Sequence, residues 1–178
     1  MRKIELTNID LEIIQGNIVQ QPDCEAIVNA ANARLKTGGG VAGAIHSIGD
    51  PELTEETKKL APITPGQAVI TSAPNLPNKY IIHCLGPVYG KDNPSDKILR
   101  DCYENALWLA DEYKIRSVAF PAISTGAFGY PVREATQVAF DAIDYVSDKL
   151  RSVKLVRIVL WDSEDYDIYE KVLGRFLE

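Results

Sequence analysis

The sequence predicts an α/β fold in which helices cover both faces of a mixed, largely parallel sheet. Three observations carry that expectation. Apolar runs of strand length alternate with longer stretches of helical period. Two glycine-bearing loops each stand between the end of a strand and the start of a helix. The length, 178 residues, is close to one ordinary domain with a core that needs no disulfide or metal, so a single domain over residues 1–178 is expected.

Residues 3–7 and 9–15 alternate polar and apolar side chains around a turn at Asn8 and read as strands, the first at an edge. Gly16-Asn17-Ile18-Val19 follows directly, which puts Asn17 at the carboxyl end of the second strand. Ala26-Ile27-Val28 reads as a buried strand, and Asn29 and Asn32 at its end are amides that must find partners if buried. Gly38, Gly39, Gly40 and Gly43 lie where a small-residue helix should begin. Residues 52–60 form a short charged helix that Pro62 ends. Strands over 67–72 and 79–85 bracket a Pro-Asn-Leu-Pro-Asn turn, with His83 expected as a core histidine bonded to a backbone group. Residues 96–113 have a helical period, and 117–123 read as a strand running into the loop 124–130. Pro131 suits the first turn of the next helix, whose apolar face is Val132, Ala135, Ala139, Ile143, Val146 and Leu150. A last strand over 154–161 and a last helix over 165–177 complete the chain.

Composition limits the partners. A formal charge of −6 argues against strong nucleic-acid binding, which normally needs a basic face. It also means that an anionic ligand would depend on backbone N–H groups and helix dipoles for most of its recognition. The three cysteines, Cys24, Cys84 and Cys102, are widely spaced, with no Cys-x-x-Cys or Cys/His pairing at metal-ligand spacing. They read as packing residues in a reducing compartment, with no metal and no cofactor implied. The N-terminus has no apolar signal core, and no run approaches the roughly 18 residues that span a membrane. A cytoplasmic protein without a membrane partner is expected.

In layered α/β sheets ligands sit outside the carboxyl ends of the strands. The residues there are Asn17, the stretch 29–40, the loop 124–130 and Trp161-Asp162. A helix start offers unpaired N–H groups and the positive end of the dipole, and glycines let a phosphate approach closely. Each glycine loop by itself is also what an ordinary surface turn looks like. Two of them facing each other would suit a diphosphate. Phe128, between Gly126 and Gly129, is either a loop anchor or an apolar platform for a ligand, and Trp161 suits a purine stack as well as a core position.

Asn29-Ala30-Ala31-Asn32, the run Gly38-Gly39-Gly40-Val41-Ala42-Gly43-Ala44-Ile45-His46 and the run from Pro121 through Ser124-Thr125-Gly126-Ala127-Phe128-Gly129 to Pro131 resemble the signature segments of the macrodomain family. The resemblance covers essentially the whole chain, including the Ile-His-Cys-Leu-Gly-Pro and Asp-Tyr-Asp-Ile-Tyr segments. It implies a three-layer α-β-α macrodomain and a ligand, ADP-ribose, free or carried on a mono-ADP-ribosylated protein. By the same resemblance Gly38 to Ala42, with Gly40 central, and Ser124 to Phe128 hold the diphosphate, beside Ala30. Asn32 orients the distal ribose and Phe128 packs on it; Ile18 donates to the adenine, Trp161 stacks on it, and Asn17 lies beside it. Asp162 is expected to bind the ligand from its place after the last strand.

Two departures from the family pattern bear on function. Asn17 stands where many members have an aspartate that accepts from the adenine amine, and a neutral amide accepts less strongly. Ala42 stands where the most active hydrolytic subclass has Asp, and Thr37 where viral members have His. The resemblance implies that members with Ala at that position, the viral type among them, still hydrolyse ADP-ribosyl bonds, with a phosphate-bound water. The expected activity is therefore hydrolysis of mono-ADP-ribosyl esters on acidic side chains, or of O-acetyl-ADP-ribose, with Asn32 and Gly40 as the residues that carry it. The alternatives are a reader that binds without turnover and an ADP-ribose-1''-phosphate phosphatase.

Overall fold

A computed structural model describes residues 1–178. Seven strands, β1 (Arg2–Glu5), β2 (Asp10–Gln15), β3 (Ala26–Ala30), β4 (Ala68–Ser72), β5 (Tyr80–Cys84), β6 (Ser117–Phe120) and β7 (Leu155–Leu160), form one sheet in the order β1-β2-β7-β6-β3-β5-β4. The four inner pairings are parallel, and only the edge pairs β1/β2 and β5/β4 are antiparallel. The five helices are α1 (Gly40–Gly49), α2 (Glu52–Thr57), α3 (Ser95–Glu112), α4 (Val132–Ser147) and α5 (Ser163–Phe176).

The inner strands are apolar on both faces because both faces are covered, and the two-residue period sorts them. Val28, Ile82, Val118, Phe120, Val156 and Ile158 belong to a cluster of 32 buried residues shared with α3, α4 and α5. Their neighbours Ile27, Ile81, Ala119 and Val159 face the other way, into a cluster of only nine with Ile45 of α1 and Leu53 of α2. The layers are thus unequal. On the thin side, part of the cover is a segment of loop rather than helix, held by ions. Arg157 of β7 donates to Glu12 at 2.7 Å, to both carboxylate oxygens of Asp23 at 2.7 Å, and to Gln21 Oε1 at 3.0 Å. This guanidinium holds the Asp23 carboxyl below its usual range.

Several boundaries differ from the sequence reading. β6 ends at Phe120 because Pro121 can donate nothing to a ladder, so residues 121–123 leave the sheet. α2 closes at Thr57 and α4 at Ser147; Leu150 is buried but lies beyond the helix, so its position in the helical stripe is coincidental. His83 is a core histidine, but its partners are side chains: Asn29 Nδ2 lies 3.0 Å from Nδ1 and Thr71 Oγ1 2.9 Å from Nε2. Since Thr71 donates onward to the Ser72 carbonyl, the ring is the neutral Nε2–H tautomer. Burial pulls its pKa down to about 3. The three cysteines are free and buried, and burial pushes the Cys24 thiol up to about 11 and that of Cys102 up to about 12.

Candidate functional site

The carboxyl ends of β2, β3, β6 and β7 open onto two adjoining cavities, of about 370 Å³ and 450 Å³, that share Gly40, Val41, Ala122 and Gly126 and so form one cleft. Its walls are two loops built in different ways.

The first loop follows β3. Asn32 clamps it: Oδ1 accepts from the Lys36 N–H at 3.0 Å and Nδ2 donates to the Lys36 carbonyl at 2.8 Å. Leu35, at φ +55°, is fully buried in a small cluster with Ala31, Ile63 and Leu85 that anchors the turn. α1 then starts at Gly40, whose φ of +56° lies in the left-handed region where a side chain is strained. A Cβ at Gly43 would collide with the Gly38 carbonyl oxygen, so the first helical turn can pack on the loop only with glycine there. None of the five consecutive N–H groups from Gly38 to Ala42 donates to another protein group.

The second loop follows β6. Ser124, at φ +66°, turns the chain, and the loop's carbonyls fold back into hydrogen bonds: Gly126 O accepts from Gly129 at 3.0 Å, Ser124 O from Tyr130 at 2.9 Å and Phe128 O from Tyr89 at 2.9 Å. With the carbonyls occupied, the N–H groups from Ser124 to Phe128 are again five in a row without a protein partner. Two such runs walling one cleft make a site for an anion with more than one phosphate-sized charge.

The predicted residues divide between the two halves. Ala30, Asn32, Gly38, Gly39, Gly40, Val41, Ala42, Ser124, Gly126, Ala127 and Phe128 line the first cavity, where no side chain is ionisable. Phe128 is half-buried against the cluster that holds Leu35, so it is a loop anchor and a wall of the cavity at once. Asn17, Ile18, Thr125 and Trp161 line the second. Ile18 keeps a free N–H, whereas the Asn17 Oδ1 already accepts from the Val19 N–H at 3.1 Å. Trp161 lies beyond the end of β7 and is 76% exposed, which removes the core reading.

Asp162 lines neither cavity. It is the N-cap of α5, and its carboxylate accepts from the Asp165 N–H at 2.8 Å. The carboxylate in the cleft is Asp165, expected from the sequence only as the first residue of a helix. An Asp-x-x-Asp pattern at a helix start was the available signal, since the capping residue and the one three positions on cannot both serve as cap. His46 is buried on α1, its Nδ1 3.0 Å from the Asp50 carboxylate, and lines neither cavity.

Comparison with known proteins agrees with this geometry. A family model described as Macro domain matches residues 28–139. A macro domain-containing protein of Caldanaerobacter subterraneus subsp. tengcongensis is 46% identical over 167 residues, covering 90% of this chain and 94% of that protein. A Pantoea vagans protein named O-acetyl-ADP-ribose deacetylase 1 is 40% identical over 169 residues, covering 92% of this chain and 98% of its own. Among solved structures, the Oceanobacillus iheyensis macrodomain with ADP superposes with a TM-score of 0.94 at 36% identity, over 99% of this chain and 96% of that one.

Proposed function

The chain belongs to the macrodomain family, and from that membership we propose that its cleft binds ADP-ribose and hydrolyses ester links at the distal ribose. The substrates are mono-ADP-ribosyl groups on acidic side chains or O-acetyl-ADP-ribose. The observation that carries this reading is the pair of five-residue runs of free N–H groups on the two loops that wall one cleft, which no Lys or Arg lines. A diphosphate is the ligand such walls suit. The adenosine then extends into the half with Ile18 and Trp161, and the distal ribose into the half with Asn32 and Phe128.

Catalysis by this chain is positional. The Asn32 amide is fixed by its two bonds to Lys36, leaving one Nδ2 proton and one Oδ1 lone pair for the ribose hydroxyls. The two loops bend the diphosphate so that a water held by a phosphate oxygen and the backbone can attack the anomeric carbon of an acidic-side-chain ester, or the acetyl carbon of O-acetyl-ADP-ribose, its proton passing to the departing oxygen. When a glutamyl or aspartyl ester is cleaved there, the departing group is a carboxylate of pKa about 4, which leaves at neutral pH without a general acid. For that ester no ionisable side chain is needed, and the first cavity has none.

That same lack also favours a second reading, a module that binds ADP-ribosylated proteins without turnover. A time course on a glutamate-linked, mono-ADP-ribosylated substrate separates the two. Release of free ADP-ribose supports the hydrolase; retention of the label with saturable binding supports the reader.

A further inference from the structure

The second cavity contains a carboxylate that the proposed function leaves without a task. Asp165 is the only ionisable residue among those lining that cavity, and it is half-buried. Its side chain takes part in no salt bridge and no hydrogen bond, because the cap of α5 is made by Asp162 and uses only the Asp165 N–H. One turn on, Tyr169 is fully buried, so Asp165 stands on the face of α5 that packs toward the core, at the cavity it lines. Burial first, and then the neighbouring Asp162 and Glu164, raise its pKa, as expected of a carboxylate held near apolar walls without a cation. Asn17 lines the same cavity, but its amide oxygen already accepts from Val19, which leaves it one lone pair and no charge beside a free carboxylate.

We propose that Asp165 determines base specificity in this cleft, its carboxylate accepting a hydrogen bond from the exocyclic amine of a 6-aminopurine stacked on Trp161. The inference rests on the reading of the cleft as an ADP-ribose site. A free carboxylate offers only lone pairs. It rewards an amine at the purine 6-position and repels a carbonyl oxygen there. Asn17 then shapes its own turn, and Asp165 reads the base.

The test compares ADP-ribose with its hypoxanthine counterpart, inosine diphosphate ribose, by calorimetry on the full chain. The wild type should favour ADP-ribose by about tenfold or more, the scale of one hydrogen bond to a charged group. Asp165→Asn should bring that ratio to within about threefold, since an amide can rotate to donate to the carbonyl oxygen as readily as it accepts from the amine. Asn17→Ala should leave the ratio above about fivefold. Because the Asp165 side chain makes no bond within the protein, thermal melting of Asp165→Asn should match the wild type; were it unfolded, Asp165→Ala and the Asn17→Ala ratio would still decide. A wild-type ratio near one, or a ratio carried through Asp165→Asn unchanged, overturns the assignment while the ADP-ribose reading stands. Failure of the wild type to bind either ligand removes both.

Discussion

The half of the cleft around Asn32 and the half around Trp161 share Gly40, Val41, Ala122 and Gly126, yet they are made of different material. The first is backbone: free N–H groups from two loops, a rigidly clamped amide and the edge of Phe128, with no ionisable side chain. The second is mostly side chain: an exposed indole, the aliphatic body of Ile18 and Val159, and one unpaired carboxylate, beside the free N–H of Ile18. Backbone recognition depends on loop shape, so a single misplaced atom should affect all of it. Side-chain recognition is divided among separable groups, so each substitution should remove only its own share. That distinction can be broken or sharpened by experiment.

The largest effect is expected from Gly39→Val. A Cβ there meets nothing within 4 Å and the backbone φ of −83° accepts a side chain, so the protein should fold and melt as before. The valine would stand in front of the free N–H groups, and losing two charge-assisted bonds should cost ADP-ribose more than about 10²-fold in affinity by calorimetry. Unchanged affinity would take the N–H runs out of the account. Next comes Asn32→Ala, which releases the Lys36 clamp and the ribose contact together. Single-turnover rates on the glutamate-linked substrate should fall about 10²-fold, with a smaller change in binding. In the other half, Trp161→Ala should weaken binding by about tenfold, the scale of one base stacked on an aromatic ring. Its kcat should be unaffected, because adenine binding is shared equally by ground and transition states.

The smallest effect is predicted for pH. Turnover should change by less than about twofold between pH 6 and 8, because nothing in the first cavity titrates there. Stability should not be flat. His83 is held neutral by burial, its pKa pulled from 6.5 to about 3. Above 6.5 neither the folded nor the unfolded state binds the proton; as pH falls from 6.5 toward 3 only the unfolded state does, and the folded state loses ground. Urea midpoints should therefore decline below pH 6.5 while kcat holds, and a matched decline in both would place a titrating group in the cleft.

Much of this was legible because periodicity and punctuation are local. The alternation of strands and helices, the glycine runs and Pro131 locate both loops at helix starts without knowledge of strand order. What escaped depends on contacts across the chain. His83 looks like any buried histidine until Asn29 and Thr71 arrive from two other strands to bond it, and those partners are 54 and 12 residues away. Leu150 matched a helical face by spacing alone, since nothing nearby in sequence states that the helix has ended three residues earlier. At the start of α5, Asp162 and Asp165 are chemically identical, and only the capping geometry decides which of them turns to the cleft. The two halves of the site differ in the same respect. The backbone half could be read from glycines; in the side-chain half Trp161 and Ile18 could be named from the sequence, and only Asp165 required the fold.

Trp161 has an optical consequence. The chain has two tryptophans. Trp108 sits on α3, 38% exposed and lining neither cavity, so its emission should not respond to what enters the cleft. Trp161, at 76% exposure, emits into water until a purine lies against it, and a stacked base quenches indole fluorescence. Occupancy of the cleft therefore reports itself in the native protein's emission, and with Trp108 as a constant internal reference the base-binding half can be titrated without label, tag or substitution.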